Sequence, residues 1–258
     1  MAISSIKIAE TPLVLYTLRR ADDALILGHR LSEWCGHAPM LEEDMALANM
    51  ALDLIGQARE LYTYAAEVEG AGHDEDKFAY LRDVRQYRNL LLVEQPNGDF
   101  ARTIVRQLFY SAFADPYWRA MMASKDATLA AIAAKSEKES AYHLRHASEW
   151  VIRLGDGTAE SHRRAQAAVG DLWAFTGELF HSDDSDAGLI GTGVAVDPET
   201  LRAGWIETVS NVLATATLDY PATNWMQKGG RTGTHTEHLG HLLSELQSMQ
   251  RTFPNATW

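Results

Sequence analysis

The chain has 258 residues, 46% of them hydrophobic, so it can bury a sizeable core, and we expect one domain over residues 1–258 with residues 1–10 as a loose N-terminal arm. A formal net charge of −12 argues against nucleic acid and membrane surfaces as partners. A single cysteine excludes an internal disulfide framework, and the absence of a secretory or membrane-spanning apolar run predicts a cytoplasmic protein.

Apolar residues recur at helical spacing along most of the chain. Thr11-Pro12 is a typical helix start, and Gly70 and Gly72 are typical of a helix end. Pro116 lies inside an otherwise helical pattern, so we expect a kink or break near Asp115. The periodicity predicts helices over residues 12–34, 40–68, 99–122, 126–154, 159–180, 197–218 and 234–252.

The segments between these helices are harder to assign. Residues 74–89 indicate a short helix or a helix followed by a loop, and the apolar run Leu90–Val93 fits a strand or a buried coil equally well. Residues 181–196 and 220–233 are polar and contain glycine, which favours loops. The sequence has no alternating strand pattern, and the long helices with short connections predict an all-α bundle.

The stretch Leu27–Tyr62 is central to this bundle. It contains two helical segments, and the second is apolar almost all round yet carries several polar residues. Such a helix either borders a polar site inside the bundle or forms a subunit interface. The small residues between Met45 and Ala58 would allow a partner to approach closely. The polar residues of the second segment are Glu42, Glu43, Asp44, Asn49, Asp53 and Gln57.

A carboxylate-bridged di-metal centre is the first chemistry to test in a helical bundle. It requires Glu-x-x-His on two helices, because residues three apart project to one face. Only Glu178 and His181 satisfy that spacing. They stand where a predicted helix ends in polar residues, and we interpret them as a solvated surface. The histidine-rich run His235–His241 does not converge on one face and is interpreted as packing histidines.

A second group of acids and histidines is placed better for a buried site. Glu139, His143 and His146 share one stripe of the predicted helix 126–154, and Asp22 lies on a stripe of the first helix. With Asp44 they define a candidate polar cluster. The cluster could bind metal, or it could be a network of salt bridges and hydrogen bonds in the core.

The segment Arg82–Asn89 carries three arginines, together with glutamine, tyrosine and asparagine, in an acidic protein. Arginine suits phosphate groups and tyrosine can stack on a flat base, which would fit a phosphorylated cofactor such as coenzyme A. A surface helix end with internal ion pairs is the alternative.

Five longer segments give the chain a family resemblance. They resemble the C subunits of bacterial phenylacetyl-CoA epoxidases, which are multicomponent ring 1,2-epoxidases, and the resemblance extends from about Leu18 to Trp258. The segments are LGHRLSEWCGHAP, ALANMALDLIGQAREL, RNLLLVEQPNGDFA, KESAYHLRHASEWVIRLGDGT and GTHTEHLGHLLSELQSMQ.

The resemblance implies a ferritin-like four-helix bundle with additional helices. It also implies a structural, non-catalytic subunit of the phenylacetate degradation pathway that binds no metal or cofactor itself. The di-iron centre would lie in a catalytic A subunit, paired tightly with this chain. A small B subunit would bridge the pairs, and a reductase subunit with FAD and an iron–sulfur cluster would supply electrons. The candidate polar cluster would then be the remains of a metal site.

The resemblance also assigns a substrate contact. Gln86, Tyr87, Arg88 and Asn89 would hold the CoA part of phenylacetyl-CoA at the interface with the A subunit. Backbone groups of Ala187, Gly188 and Leu189 form a second, weaker candidate. Two alternatives remain at this point: an active di-iron carboxylate oxygenase in its own right, and a free-standing acyl-CoA-binding protein.

Overall fold

The computed structural model describes residues 5–253 and 256 of the chain. Over these residues it contains helices and no strand. The α-helices are α1 (Pro12–Ser32), α2 (Leu41–Glu69), α3 (Glu75–Tyr80), α4 (Leu91–Glu94), α5 (Phe100–Met121), α6 (Ala127–Gly155), α7 (Ala159–Trp173), α8 (Asp184–Thr192), α9 (Arg202–Thr215), α10 (Glu237–Leu246) and α11 (Ser248–Thr252). Short 3-10 helices cover Val84–Gln86, Gly177–Phe180, Pro198–Leu201 and Gly230–Thr232.

Two helix pairs form the centre of the bundle. α1 packs along α2, and α5 packs along α6. Gly28 of α1 allows the first pair to approach closely, because a Cβ at this position would lie 3.0 Å from Cγ1 of Ile55 and 3.2 Å from the carbonyl oxygen of Ala51. The two pairs are joined where α2 meets α6 and by a buried hydrogen bond of 2.6 Å between the hydroxyls of Tyr16 and Tyr117. This architecture confirms the predicted all-α, ferritin-like class.

The additional helices cover the second pair. α7 packs on α5 and α6, and α9 packs on the same two helices. α8 contacts α1, and α4 lies between α1 and α5. One hydrophobic core extends through all these contacts.

The long helices were predicted well, but several details differ from the prediction. The run Leu90–Val93, predicted as a strand or a buried coil, lies largely in the short helix α4. No break occurs near Asp115: Pro116 lies inside α5 without ending it, because this helix is buried on nearly all sides and its packing outweighs the lost N–H donor. A kink at this position stays a prediction. Residues 181–196 include the helix α8, which Asp183 caps by accepting a hydrogen bond from the amide of Ser185. The helix predicted over 159–180 ends at Trp173 and is followed by the 3-10 turn Gly177–Phe180.

The N-terminal segment was predicted as a loose arm over residues 1–10. Residues 1–4 lie outside the described part of the chain. Ile6 donates its amide to the carbonyl of Leu81 at 3.2 Å and accepts from the side chain of Gln86 at 2.8 Å. The amide of Ala9 donates to Glu69. Residues 5–10 therefore lie along the segment that follows α3. Within the described residues, no helix is long and apolar enough to cross a membrane.

Candidate functional site

Acids and histidines face each other where α2 meets α6, and we call this row of contacts the α2–α6 seam. The rings of His143 and His146 bond through Nε2 to Asp53 at 3.0 Å and to Glu43 at 2.8 Å, respectively. The side chain of Gln57 donates to Glu139 at 2.8 Å. Each pair therefore lies at its own level of the two antiparallel helices.

The seam carries three members of the predicted polar cluster but separates them from the other two. Asp44 lies at the start of α2, where it accepts the amide hydrogen of Gly36 at 2.7 Å. Asp22 lies in the core and bonds to Arg82 and Tyr62. The prediction missed the actual partners Glu43, Asp53 and Gln57. Asp53 and Gln57 are four residues apart on α2, as Glu139 and His143 are on α6, which was the signal for this pairing.

The seam does not bring its potential metal ligands together at one point. Burial raises the pKa of Glu139, the hydrogen bond from Gln57 opposes this effect, and the charge of Asp53 adds to it. Across the described residues, no group of three or more His, Cys, Asp or Glu side chains is arranged to hold a metal ion. A di-metal centre needs carboxylates and histidines converging from four helices. The seam supplies separate pairs from two helices and does not fit that centre.

A second polar group is buried at the middle of α1, and we call it the Asp22–Asp23 centre. Asp22 forms a salt bridge with Arg82 and accepts from the hydroxyl of Tyr62 at 2.6 Å. Asp23 accepts from Nη1 and Nη2 of Arg231 at 2.9 and 2.7 Å and from the amide of Leu90 at 2.8 Å. Both aspartates and both arginines are almost completely buried. The centre ties α1 to two distant segments of the chain.

Glu178 and His181 were predicted to form a solvated surface, and this prediction is wrong for Glu178. Glu178 is only 2% exposed, whereas His181 is exposed. The carboxylate of Glu178 accepts backbone amides from Leu91 at 3.0 Å, Gly229 at 2.9 Å and Arg231 at 3.2 Å. These donors lie far away in sequence, which is why the local pattern gave no sign of burial. Through these hydrogen bonds, Glu178 holds the segment containing Gly229 and Arg231 against α4.

The predicted CoA segment lies between α3 and α4, and much of it faces inwards. Tyr87 and Asn89 are each 0% exposed. The hydroxyl of Tyr87 donates to the carbonyl of Ala79, and the amide of Asn89 donates to Glu94. Gln86 bonds to Ile6, and Arg88 bonds to Glu10 at 2.9 Å. The accessible cationic edge of this segment consists of Arg88, in part, and the exposed Arg85. Arg85 belongs to the predicted arginine-rich segment Arg82–Asn89 but not to the four residues that the family resemblance assigned.

The second predicted CoA segment is helical. Ala187, Gly188 and Leu189 lie within α8, where their backbone groups take part in the helix and its C-terminal cap. Two aspartates at the start of α8 hold it against α1. Nη1 of Arg19 donates to Asp186 at 2.7 Å, and the same guanidinium forms a salt bridge with Asp183.

The attachment of α8 should depend on acid pH. Burial opposes ionisation of Asp183, but hydrogen bonds from Arg19 and Ser185 outweigh it and lower its pKa to about 2 from 3.8. A depressed folded-state pKa adds stability above the unfolded value, and that stability is lost as pH falls from about 4 towards about 2. We expect Asp183→Asn, which keeps the cap, to lower the free energy of unfolding near neutral pH by about 1 kcal/mol because solvent screens the pair.

Urea titrations at several pH values measure this effect. The difference between Asp183→Asn and the unmodified chain should shrink as pH falls below about 4. The exposed neighbour Asp184 provides the matched control, and Asp184→Asn should change the free energy of unfolding by less than about 0.5 kcal/mol near neutral pH. A difference for Asp183→Asn that stays constant with pH would contradict the assignment.

Exposed apolar side chains mark one face of α2. Leu41 is 72% exposed, Met45 is 59% exposed and Leu52 is 67% exposed. These positions recur at helical spacing and form one stripe. Large exposed apolar residues grouped on one face are typical of an interaction surface.

Two comparisons place the chain among known proteins. The family model described as phenylacetic acid catabolic protein matches residues 3–258. A protein of Escherichia coli strain K12, named as the C subunit of 1,2-phenylacetyl-CoA epoxidase, is 52% identical over 246 residues, covering 95% of this chain and 99% of the relative. The chain therefore belongs to the phenylacetic acid catabolic protein family.

Proposed function

We propose that this chain is a structural, non-catalytic subunit of a multicomponent phenylacetyl-CoA 1,2-epoxidase in aerobic phenylacetate degradation. The full-length similarity to the C subunit of the E. coli epoxidase carries the proposal. The di-iron centre belongs to a catalytic A subunit that pairs with this chain. A B subunit and a reductase with FAD and an iron–sulfur cluster complete the assembly, which acts in the cytoplasm.

The donor chemistry of the α2–α6 seam supports a non-catalytic role. His143 and His146 bond to different acids, and the carboxylate of Glu139 is taken by the amide of Gln57. Asp22 is bonded to the Arg82 guanidinium, whose positive charge opposes a metal cation at the same carboxylate. These side chains hold the bundle together through direct hydrogen bonds.

The exposed stripe of α2 supports a role as one subunit of a larger assembly. Binding of another protein over Leu41, Met45 and Leu52 would be favourable in free energy, because apolar area removed from water contributes roughly 25 cal/mol per Å². A catalytic A subunit seated on this stripe would cover the outward face of α2, which points away from the α2–α6 seam.

The CoA part of the substrate would meet the cationic edge formed by Arg85 and Arg88. Arginine pairs well with phosphate oxygens through charge-assisted hydrogen bonds. Glu10, which now bonds to Arg88, has an exposed side chain and could be displaced by a phosphate. Tyr87 and Asn89 would position this edge from the buried side. The edge alone offers few contacts, so substrate binding needs the A subunit.

Metal analysis and co-purification test the proposal. The chain produced alone should retain negligible iron, and the A subunit produced with it should carry the iron and co-purify. Leu52→Glu should abolish co-purification, because a charge would be buried without a partner. Met122→Glu, at an exposed methionine beyond α5, is the matched control and should leave co-purification intact.

An active di-iron oxygenase is the alternative, since acids and histidines do face each other along the seam. It predicts stoichiometric iron and peroxide-driven oxidation in the isolated chain, both lost in His143→Ala and His146→Ala. The structural role predicts that these variants only lower thermal stability. Stoichiometric iron with seam-dependent oxidation would therefore overturn the proposed role.

Calorimetry with CoA separates the subunit from a free-standing acyl-CoA-binding protein. Titration into this chain alone should give little heat, and addition of the A subunit should restore saturable binding. Arg85→Gln and Arg88→Gln should weaken that binding about tenfold, the loss expected for one charge-assisted hydrogen bond. Lys125→Gln, at an exposed cation far along the chain, is the control. Full affinity without the A subunit would contradict the composite site.

A further inference from the structure

An aromatic cavity of about 170 Å³ lies outside every site described above. It is formed by the end of α7, the turn Gly177–Phe180, the start of α9 and the loop 220–226, and it opens to solvent on one side. Its walls include the rings of Trp173, Phe180, Trp205 and Tyr220. A protein cavity of about 150 Å³ lined by apolar groups is large enough to bind benzene. The size therefore fits one aromatic ring with a small substituent.

The walls combine aromatic ring surface with polar side chains of Thr176, Thr223 and Asn224. Trp173 and Trp205 lie with their ring centroids 5.6 Å apart, and Tyr220 meets Trp173 edge-on at 4.7 Å. The indole N–H of Trp173 donates to the carbonyl of Thr223, and that of Trp205 donates to the carbonyl of Phe109. Because these donors are already used, an aromatic occupant can pack against the rings by offset or edge-to-face contact.

The guanidinium of Arg202 in the cavity wall selects ligands by their charge. Arg202 lines the cavity and lies over the ring of Phe180, with its Cζ 4.4 Å from the centroid. Its Nε and Nη2 donate to Glu199 at 2.6 and 2.7 Å, while no described residue accepts from its Nη1. A cavity of aromatic rings alone would suit a quaternary ammonium. The positive charge of Arg202 opposes such a cation and favours an anion.

The ion pair between Arg202 and Glu199 is open to competition. The side chain of Glu199 is 57% exposed, and exposed pairs of this kind contribute little to stability. A carboxylate that entered the cavity could bond to Nη1 without displacing Glu199, or could replace it in a two-pronged interaction. Arg202 can thus bind a second carboxylate without disturbing the fold.

The cavity is accessible from solvent. Tyr220 is 43% exposed and Ile206 is 41% exposed, and both line the cavity. The loop that forms one side is held by the amide of Gln227, which donates to the carbonyl of Ala174 at 2.7 Å. Met226 closes against Gly177, where an added Cβ would lie 2.7 Å from Cγ of the methionine. The loop is therefore fixed at its base while the mouth stays open.

We propose that this cavity binds a small monocyclic aromatic carboxylate, with the ring among Trp173, Trp205 and Tyr220 and the carboxylate at Arg202. The site goes beyond the proposed epoxidase role. It needs neither the A subunit nor the cationic edge at Arg85 and Arg88. It would give the chain a binding activity of its own for an aromatic acid.

Ligand titration of the full-length chain tests the proposal, with benzoate and phenylacetate as probes. Two-dimensional NMR should show saturable shifts of the indole N–H signals of Trp173 and Trp205 at millimolar ligand or below. Toluene, which lacks the carboxylate, and tetramethylammonium, which carries the opposite charge, should bind at least about tenfold more weakly.

Two variants complete the test. Arg202→Gln should weaken benzoate binding about tenfold, and Arg163→Gln, at an exposed ion-paired arginine of α7, should leave it unchanged. Both positions are at the surface, so both variants should fold. Absence of saturable shifts with either carboxylate, equal binding by Arg202→Gln, or preferential binding of tetramethylammonium would each overturn the proposal. Loss of co-purification or of CoA binding would instead contradict the epoxidase role and leave this site standing.

Discussion

Replacing Asp23 with alanine should lower the free energy of unfolding by about 3–5 kcal/mol, the range measured when one partner of a buried ion pair is removed. Asp23 accepts from both terminal nitrogens of Arg231, and both side chains are almost completely buried. Without the carboxylate, the guanidinium of Arg231 stays in the core with its charge uncompensated. The amide of Leu90 also loses its acceptor. Urea denaturation followed by circular dichroism measures the change.

A double substitution distinguishes the lost charge from lost packing. Asp23→Leu combined with Arg231→Met removes both charges of this pair, and it should recover part of the stability, because apolar residues of similar volume often replace buried ion pairs without loss. Recovery stays incomplete because Arg20, 3.5 Å from Asp23, and the amide of Leu90 also lose the carboxylate. The exposed pair of Lys135 and Glu60 is the control, and Lys135→Ala should change the stability by less than about 1 kcal/mol. A loss below about 1 kcal/mol for Asp23→Ala would contradict the importance of the Asp22–Asp23 centre.

Substitution of Gly155 by alanine should destabilise the protein by about 3 kcal/mol, the upper part of the range for overpacking. Gly155 is the last residue of α6, and a Cβ there would lie 2.2 Å from the carbonyl oxygen of Ala216 and 2.7 Å from its Cβ. Backbone atoms cannot rotate away as a flexible side chain can, so the end of α9 would have to move. Thermal unfolding measures the expected fall in melting temperature.

A glycine-to-alanine substitution at Gly170 should have the opposite effect on the free energy of unfolding. Gly170 is exposed within α7, and a Cβ at that position would meet nothing within 4 Å. Gly170→Ala should therefore stabilise the protein by about 0.5–1 kcal/mol through the higher helix propensity of alanine. Equal effects at the two glycines would show that the contact between Gly155 and Ala216 does not control the packing of α9 on α6.

The fold class could be predicted because long helices carry their own signal. Apolar spacing located α1, α5 and α6 to within a few residues, and Thr11-Pro12 marked the start of α1. The helix α8 was missed because its sequence is short, polar and rich in glycine. It forms because Asp183 caps it and Arg19 of α1 holds its first turn, and this contact spans 164 residues.

The polar sites were harder to predict because their partners are distant in sequence. Helical spacing placed Glu139, His143 and His146 on one stripe, as the structure has them. It could not show that Asp22 faces Arg82 instead, or that Glu178 is buried by amides from two other segments. Charged residues inside a core are recognisable only from their partners, and those partners come from tertiary packing.

The Asp22–Asp23 centre also sets the order in which the chain can complete its fold. Arg231 lies 208 residues beyond Asp23, and Arg82 lies 60 residues beyond Asp22. During synthesis, Asp22 can meet Arg82 as soon as α3 and the following turn have emerged. Asp23 has Arg20 of its own helix 3.5 Å away, but it gains its two hydrogen bonds from Arg231 only after residue 231 has emerged. α1 and α2 can therefore associate early, while the carboxylate of Asp23 is still partly hydrated. The bundle can therefore bury α1 completely only after the segment around Arg231 has docked. This requirement disfavours premature burial of α1 in an unfinished chain.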